Sequence, residues 1–270
     1  MSSVASTLPR LTEKGRVTQA RVTRSEWTKL YSLRSTLWSL GVAVILTVGL
    51  PLVVAIVRTT RTHPDHRGPS ALEIGSVGVN VSQLAIAVLG VLLITGEYST
   101  GMIRATFTAV PKRLPVLWAK VGVYAVLSFV LMLPCVVIAF FASQAILARK
   151  GLLQISFSHP GVARAVIGGA VYLMLVGVFA LAIGAIVRST AGGISAFAAI
   201  FFVVPPLLNI LPSSWNDAIS PWLPDHAARS IFALTHDSNS LAPGPGLALF
   251  AGYCAAAIAL AAVLLVRRDT

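Results

Sequence analysis

GEYSTGMIRATFTAVPKR, residues 96–113, is a long polar stretch with strongly apolar sequence on both sides, and its reading decides the fold. It holds three Thr, a Glu, three basic residues and a Pro. The apolar runs beside it, 74–95 and 116–147, are each long enough to cross a bilayer, which takes about 20 predominantly apolar residues as a helix. The stretch is therefore a connection between two spans, lying at one face of a membrane.

Moving outward, the same criterion finds four more windows, at 37–57, 165–187, 193–211 and 246–266. All six are expected to be helices, so the predicted fold is an all-α integral membrane domain over 37–270, preceded by an N-terminal segment, 1–36. Pro134 interrupts a backbone hydrogen bond in mid-span, and the long third span is expected to tilt or bend there. Pro205 and Pro206 are expected to break up the last turn of the fifth.

Composition agrees. The 270 residues are 56% hydrophobic and only 11% charged, against roughly 25% in a soluble domain, and the mean hydropathy is +0.83. The net charge of +12 does not point to nucleic acid, because the basic residues lie between apolar spans rather than on one compact face. Anionic lipid headgroups and orientation explain it better. Fourteen of the 21 Lys and Arg fall in the N-terminal segment, the 96–120 region, Arg188 and the tail pair Arg267 and Arg268. The positive-inside rule then predicts both termini and residues 96–115 in the cytoplasm. Cys135 and Cys254 both sit in apolar runs and form no disulfide or metal pattern. The first 36 residues contain no apolar h-region, so the first span is expected to act as the insertion signal.

Two segments outside the spans carry pattern. Before the first span, VTQARVTRSEWTKLYSLRSTLW winds as a helix with Trp27, Leu30, Tyr31, Leu33 and Leu37 on one face and Arg21, Ser25, Lys29 and Ser32 opposite, a form suited to the membrane interface, with Arg34 among the basic groups reaching lipid. A plain positive-inside anchor is the alternative. Within 96–113, a helix from about Glu97 to Thr108 would put a carboxylate at its positive end. It would align Met102 with Thr106, or Ile103 with Phe107, one turn apart, and would stop before Pro111. Such an apolar ridge, with Arg104 beside it, packs either on a groove of a separate protein or on the bilayer and neighbouring spans.

SEWTKLYSLRST before the first span, GEYSTGMIRATFTAVPKR after the second, LPSSWNDAISPWLP before the sixth and the six-span layout together resemble the membrane (permease) subunit of a bacterial ATP-binding-cassette exporter of the second type. Glu97, Thr100, Gly101, Arg104 and Pro111 match that family's pattern after the second span. The resemblance implies an interfacial elbow helix before the first span and a short coupling helix, 97–111, that inserts into a separate ATPase subunit through Glu97, Thr100, Gly101, Met102, Ile103, Arg104, Phe107 and Pro111. It also implies a broken-helix element among Pro205, Pro206, Pro212, Pro221 and Pro224, and pairing with a second copy or a homologous permease in a bacterial cell membrane. The cargo implied is an amphipathic compound such as a drug, antibiotic, peptide or lipid. A charge at Phe107, or Glu97→Lys, is then expected to leave the membrane fold intact and weaken coupling.

No G-x-x-x-x-G-K-[ST] occurs, so no P-loop is present. ATP and Mg belong to the expected partner, and this chain is expected to bind no cofactor and to catalyse nothing itself. Small residues at four-residue spacing, Gly78/Ser82, Ala180/Gly184, Gly192/Ala196 and Ala251/Ala255/Ala259, are expected to let helices approach closely, within a subunit or across a dimer. Asn80, Gln83 and Asn209 are candidate substrate-path residues, although amides at this depth also join helices. THPDH offers His63, Asp65 and His66, but in a Pro-containing loop without a fixed register, so no metal site is expected. Rival readings fare less well. A secondary transporter would carry ionisable groups deep in its spans, and an intramembrane hydrolase would need a His or metal cluster there; neither pattern is found. A non-transporting scaffold is opposed only by the 96–113 motif.

Overall fold

The computed structural model describes residues 19–32, 34–61, 71–102, 113–149, 151, 155–208, 210, 212–233 and 241–267. Among them there is no strand. Six helices among the described residues are long and apolar enough to cross a membrane, which makes this a multi-pass, all-α membrane protein. A separate helix, α1 (Gln19–Ser32), precedes them. The first four spans belong to α2 (Arg34–Arg61), α3 (Ala71–Ser99), α4 (Arg113–Ala148) and α5 (Val162–Val187). The fifth begins as α6 (Thr190–Ala198) and ends as α7 (Val204–Leu208); the sixth is α10 (Pro243–Arg267). Two short helices, α8 (Ser213–Ile219) and α9 (Pro224–Arg229), lie between the fifth and sixth spans, where the resemblance implied a broken-helix element. Pro212 stands just before α8 and Pro224 opens α9, where a missing N–H costs nothing.

α3 and α5 form the centre: most of their apolar length is buried within the protein, whereas most of α2, α4, α6 and α10 faces outward. Lipid tails are as apolar as Leu, so close packing, rather than hydrophobic burial, must hold such helices together. It does so through glycine. A Cβ on Gly90 of α3 would lie 2.4 Å from the Gly177 carbonyl of α5, and a Cβ on Gly177 would lie 2.4 Å from the Tyr124 hydroxyl of α4. That hydroxyl donates to the Ile86 carbonyl of α3 at 2.6 Å. Three helices thus meet in one layer. Gly78 brings α3 as near to Thr47 and Pro51 of α2, and Gly184 fits against Val91 and Ile94. The stripe Ala251, Ala255 and Ala259 faces outward.

α5 and α6 are joined by two residues. Arg188 takes a left-handed conformation (φ 56°) and its N–H donates to Gly184, while Ser189 caps α6 by accepting from the Gly192 N–H. Pro205 and Pro206 were expected to fray the end of the fifth span. The helix continues instead, through a π turn at Ala199–Val203 in which the Val204 N–H reaches back five residues to Ala199. The wider turn accommodates carbonyls that the prolines cannot satisfy. It also keeps Phe201 inward, stacked on Phe197 at 4.5 Å and edge-on to Phe250 of α10. α4 likewise runs unbroken through Pro134.

Candidate functional site

α3 does not stop at the end of its apolar run. It continues to Ser99, where the Ser99 and Thr100 hydroxyls both donate back to the Gly96 carbonyl (3.0 and 2.8 Å). Gly101, at φ 71°, supplies the left-handed turn that ends it. Glu97 therefore sits in the last turn of the second span and not, as expected, at the positive start of a new helix. A carboxylate at a helix C-terminus is unfavourable on its own, and two lysines offset it.

These lysines complete a closed ring of four charges. Lys120 of α4 donates to Glu97 at 2.7 Å and to Glu26 of α1. Lys29 of α1 donates to Glu97 at 2.9 Å and to Glu26 at 2.8 Å. Lys120 and Glu26 are buried, at 2% and 3% exposure, and Glu97 is nearly so, with its Oε2 unpartnered. α1, the end of α3 and the start of α4 are tied at one point. Val22 of α1, packed on Val116 and Ala119, and Gln19, which donates to the Pro115 carbonyl at 3.0 Å, extend the contact.

The docked face of α1 is thus Val22, Glu26 and Leu30, with Lys29 turned into the ring. Of the predicted apolar face, Leu30 is buried and Trp27 is exposed, while Leu37 belongs to α2. Tyr31 lies in the last turn of α1 and Arg34 opens α2. Thr100, Gly101 and Met102 follow α3 at the exposed end of the bundle. Ile103, Arg104, Phe107 and Pro111 lie outside the described residues, and so does the predicted 97–111 coupling helix beyond Met102.

Burial alone would depress the Lys29 ammonium, but its hydrogen bonds to Glu26 and Glu97 and their charges outweigh this and hold its pKa above the ordinary 10.5. A lysine pKa raised by folding adds stability that is complete below the unfolded value and lost as pH rises through the folded one. A spin label on Thr28→Cys is therefore expected to stay immobilised through neutral pH and to gain mobility only in the alkaline range above 10.5. Mobility that is flat across that range would mean that Lys29 does not hold α1 down.

Midway along α3, Gln83 is buried and accepts a hydrogen bond from the Tyr172 hydroxyl of α5. The Asn80 Oδ1 is buried without a partner, and Asn209 lies outside the described residues. Gln83 therefore joins α3 to α5 through its Oε1, while its Nε2, like the Asn80 Oδ1, is buried without a partner. Beyond Tyr172 lie Asp225 and Arg229 of α9, paired at 2.7 Å. Burial raises the Asp225 pKa, opposed by the charge of Arg229. A cleft of about 330 Å³ opens here between the end of the fifth span and α8–α9.

The ring was missed because its members were read separately, Lys120 as a positive-inside charge and Glu26 not at all. The available signal was a lysine placed inside an apolar run, which needs a carboxylate wherever it is buried. Comparison with models of known protein families and with curated proteins gives no match.

Proposed function

We propose that this chain is the membrane subunit of an ATP-driven exporter of the second type in a bacterial cell membrane, with both termini cytoplasmic. Two such subunits pair, each bound to a separate ATP-binding-cassette ATPase that holds ATP and Mg. The observation that carries the reading is the ion ring. Residues 103–112 leave α3 and return to α4 at the point where the ring locks both helices to α1. A push on that connection would move the elbow helix and two spans as one body. Coupling requires a contact that differs between nucleotide states, and a segment anchored on a rigid base transmits such a difference. The net positive charge at this end and the resemblance around Glu97, Thr100 and Gly101 support the same assignment. The cargo is an amphipathic compound.

The ring changes how the reading is tested. Glu97→Lys, expected from sequence to leave the fold intact, would place three lysines around Glu26, so loss of coupling would not separate docking from damage. Phe107→Asp avoids the ring. Purified in mild detergent from its host, the subunit is expected to bring down a P-loop protein stoichiometrically, with ATPase activity. Phe107→Asp is expected to abolish that association while the subunit remains monodisperse. A folded protein with no ATPase partner would return the choice to a secondary transporter or a scaffold.

A further inference from the structure

The cleft at the far end of the bundle has two chemically distinct sides. One is apolar: Phe201, Phe202, Pro205 and Pro206, on the π turn and α7. The other is polar: Asn216 and Ser220 from α8 and the turn after it, and Asp225, His226 and Arg229 from α9. Its volume, about 330 Å³, falls within the ~300–1,000 Å³ typical of small-molecule sites. Its charge is not balanced at the accessible surface. Asp225 is only 2% exposed and its carboxylate is already engaged by the Arg229 Nε. The Arg229 side chain remains 40% exposed, and His226 is exposed beside it. The second acid on these short helices, Asp217, is not part of the lining. An incoming cation would have to displace Arg229 from a buried carboxylate, whereas an incoming anion meets a guanidinium held in place by that carboxylate.

The surroundings indicate how such a ligand would arrive. Ile210, Trp215, Ile219 and Trp222 are exposed around α8, and the Tyr253 hydroxyl of α10 donates to the Trp222 carbonyl at 2.7 Å. Exposed tryptophans at the end of an apolar bundle mark headgroup depth. The apolar wall lies on a span that mostly faces outward, which leaves Phe202 and Pro206 exposed for an acyl chain.

We propose that this cleft binds an amphiphile with an anionic headgroup, phosphate or carboxylate, whose head meets Arg229 and whose chain lies along Phe202 and Pro206. The ligand is either a lipid of the surrounding leaflet or a soluble amphiphile of the same chemistry. It needs no ATPase and holds whether or not the chain exports anything.

With Trp27, Trp38 and Trp118 changed to Phe, the remaining tryptophans, Trp215 and Trp222, report on this end alone. In nanodiscs, brominated phosphatidylglycerol is expected to quench them at a mole fraction about tenfold lower than brominated phosphatidylcholine, the scale of one charge-assisted hydrogen bond. Arg229→Gln is expected to remove that preference. Ser220→Phe, which fills the cleft and leaves the Asp225–Arg229 pair in place, is expected to weaken both lipids, and it decides the matter if Arg229→Gln does not fold. Recovery of fluorescence on adding dodecyl phosphate identifies a site open to soluble amphiphiles; persistent quenching identifies a lipid site. Equal quenching by the two lipids, or a preference that survives in both variants, overturns the proposal.

Discussion

Lys120→Met is expected to destabilise the subunit by about 3–5 kcal/mol, the range for removing one partner of a buried ion pair. Met matches the length of Lys and fills its space, so the loss is electrostatic rather than steric. Without Lys120, Glu26 and Glu97 share Lys29 alone, and a buried negative charge is left over. The Oε2 of Glu97 already lacks a partner, so it has no further donor to turn to. Thermal unfolding in detergent, followed by loss of the monodisperse peak, would show the effect. Adding Glu26→Gln and Glu97→Gln to Lys120→Met is expected to restore most of it, because a buried ionic network replaced as a whole costs far less than one broken at a single member. An unchanged transition for Lys120→Met alone would mean that the ring is open to water.

This ring shows where sequence stops informing structure. The six spans were legible because hydropathy over about 20 residues is a local property; each predicted window falls almost wholly within an observed helix. The ring is not local. Lys120 meets carboxylates 23 and 94 residues away, and no periodicity links them. The end of α3 was misplaced for a related reason. Polar residues from Gly96 onward suggested that the span had finished, but Glu97 can stay in the helix once its charge is met from α1 and α4. The orientation of α1 followed from the same partners. Its aromatic pattern suggested a helix on the membrane interface, but not that Glu26 would turn it so that Val22 and Leu30 pack on the bundle. The π turn lay in between: Pro205 and Pro206 announced a disturbance, but not that it would be absorbed four residues earlier to keep Phe201 in the core.

The second large effect is expected at Gly90. Replacing it with Val would set a Cβ 2.4 Å from the Gly177 carbonyl and 3.2 Å from the Leu181 nitrogen, both main-chain atoms of a facing helix. No side chain can swing aside to relieve that contact, so α3 and α5 must separate. Overpacking of this kind costs about 1–3 kcal/mol even where side chains can adjust. The consequences would spread, because Tyr124 lies against Gly177 while its hydroxyl holds the Ile86 carbonyl, one turn from Gly90. Moving α5 from α3 therefore also opens the α4 contact. Gly90→Val is expected to lower the melting transition and to weaken the Gln83–Tyr172 contact two turns away, whereas Gly41→Val, where nothing lies near the added carbon, is expected to leave both unchanged. Double-mutant cycles with Tyr172→Phe separate the two sites: a coupling energy near zero between Gly90→Val and Tyr172→Phe would mean that the two layers of the α3–α5 interface pack independently.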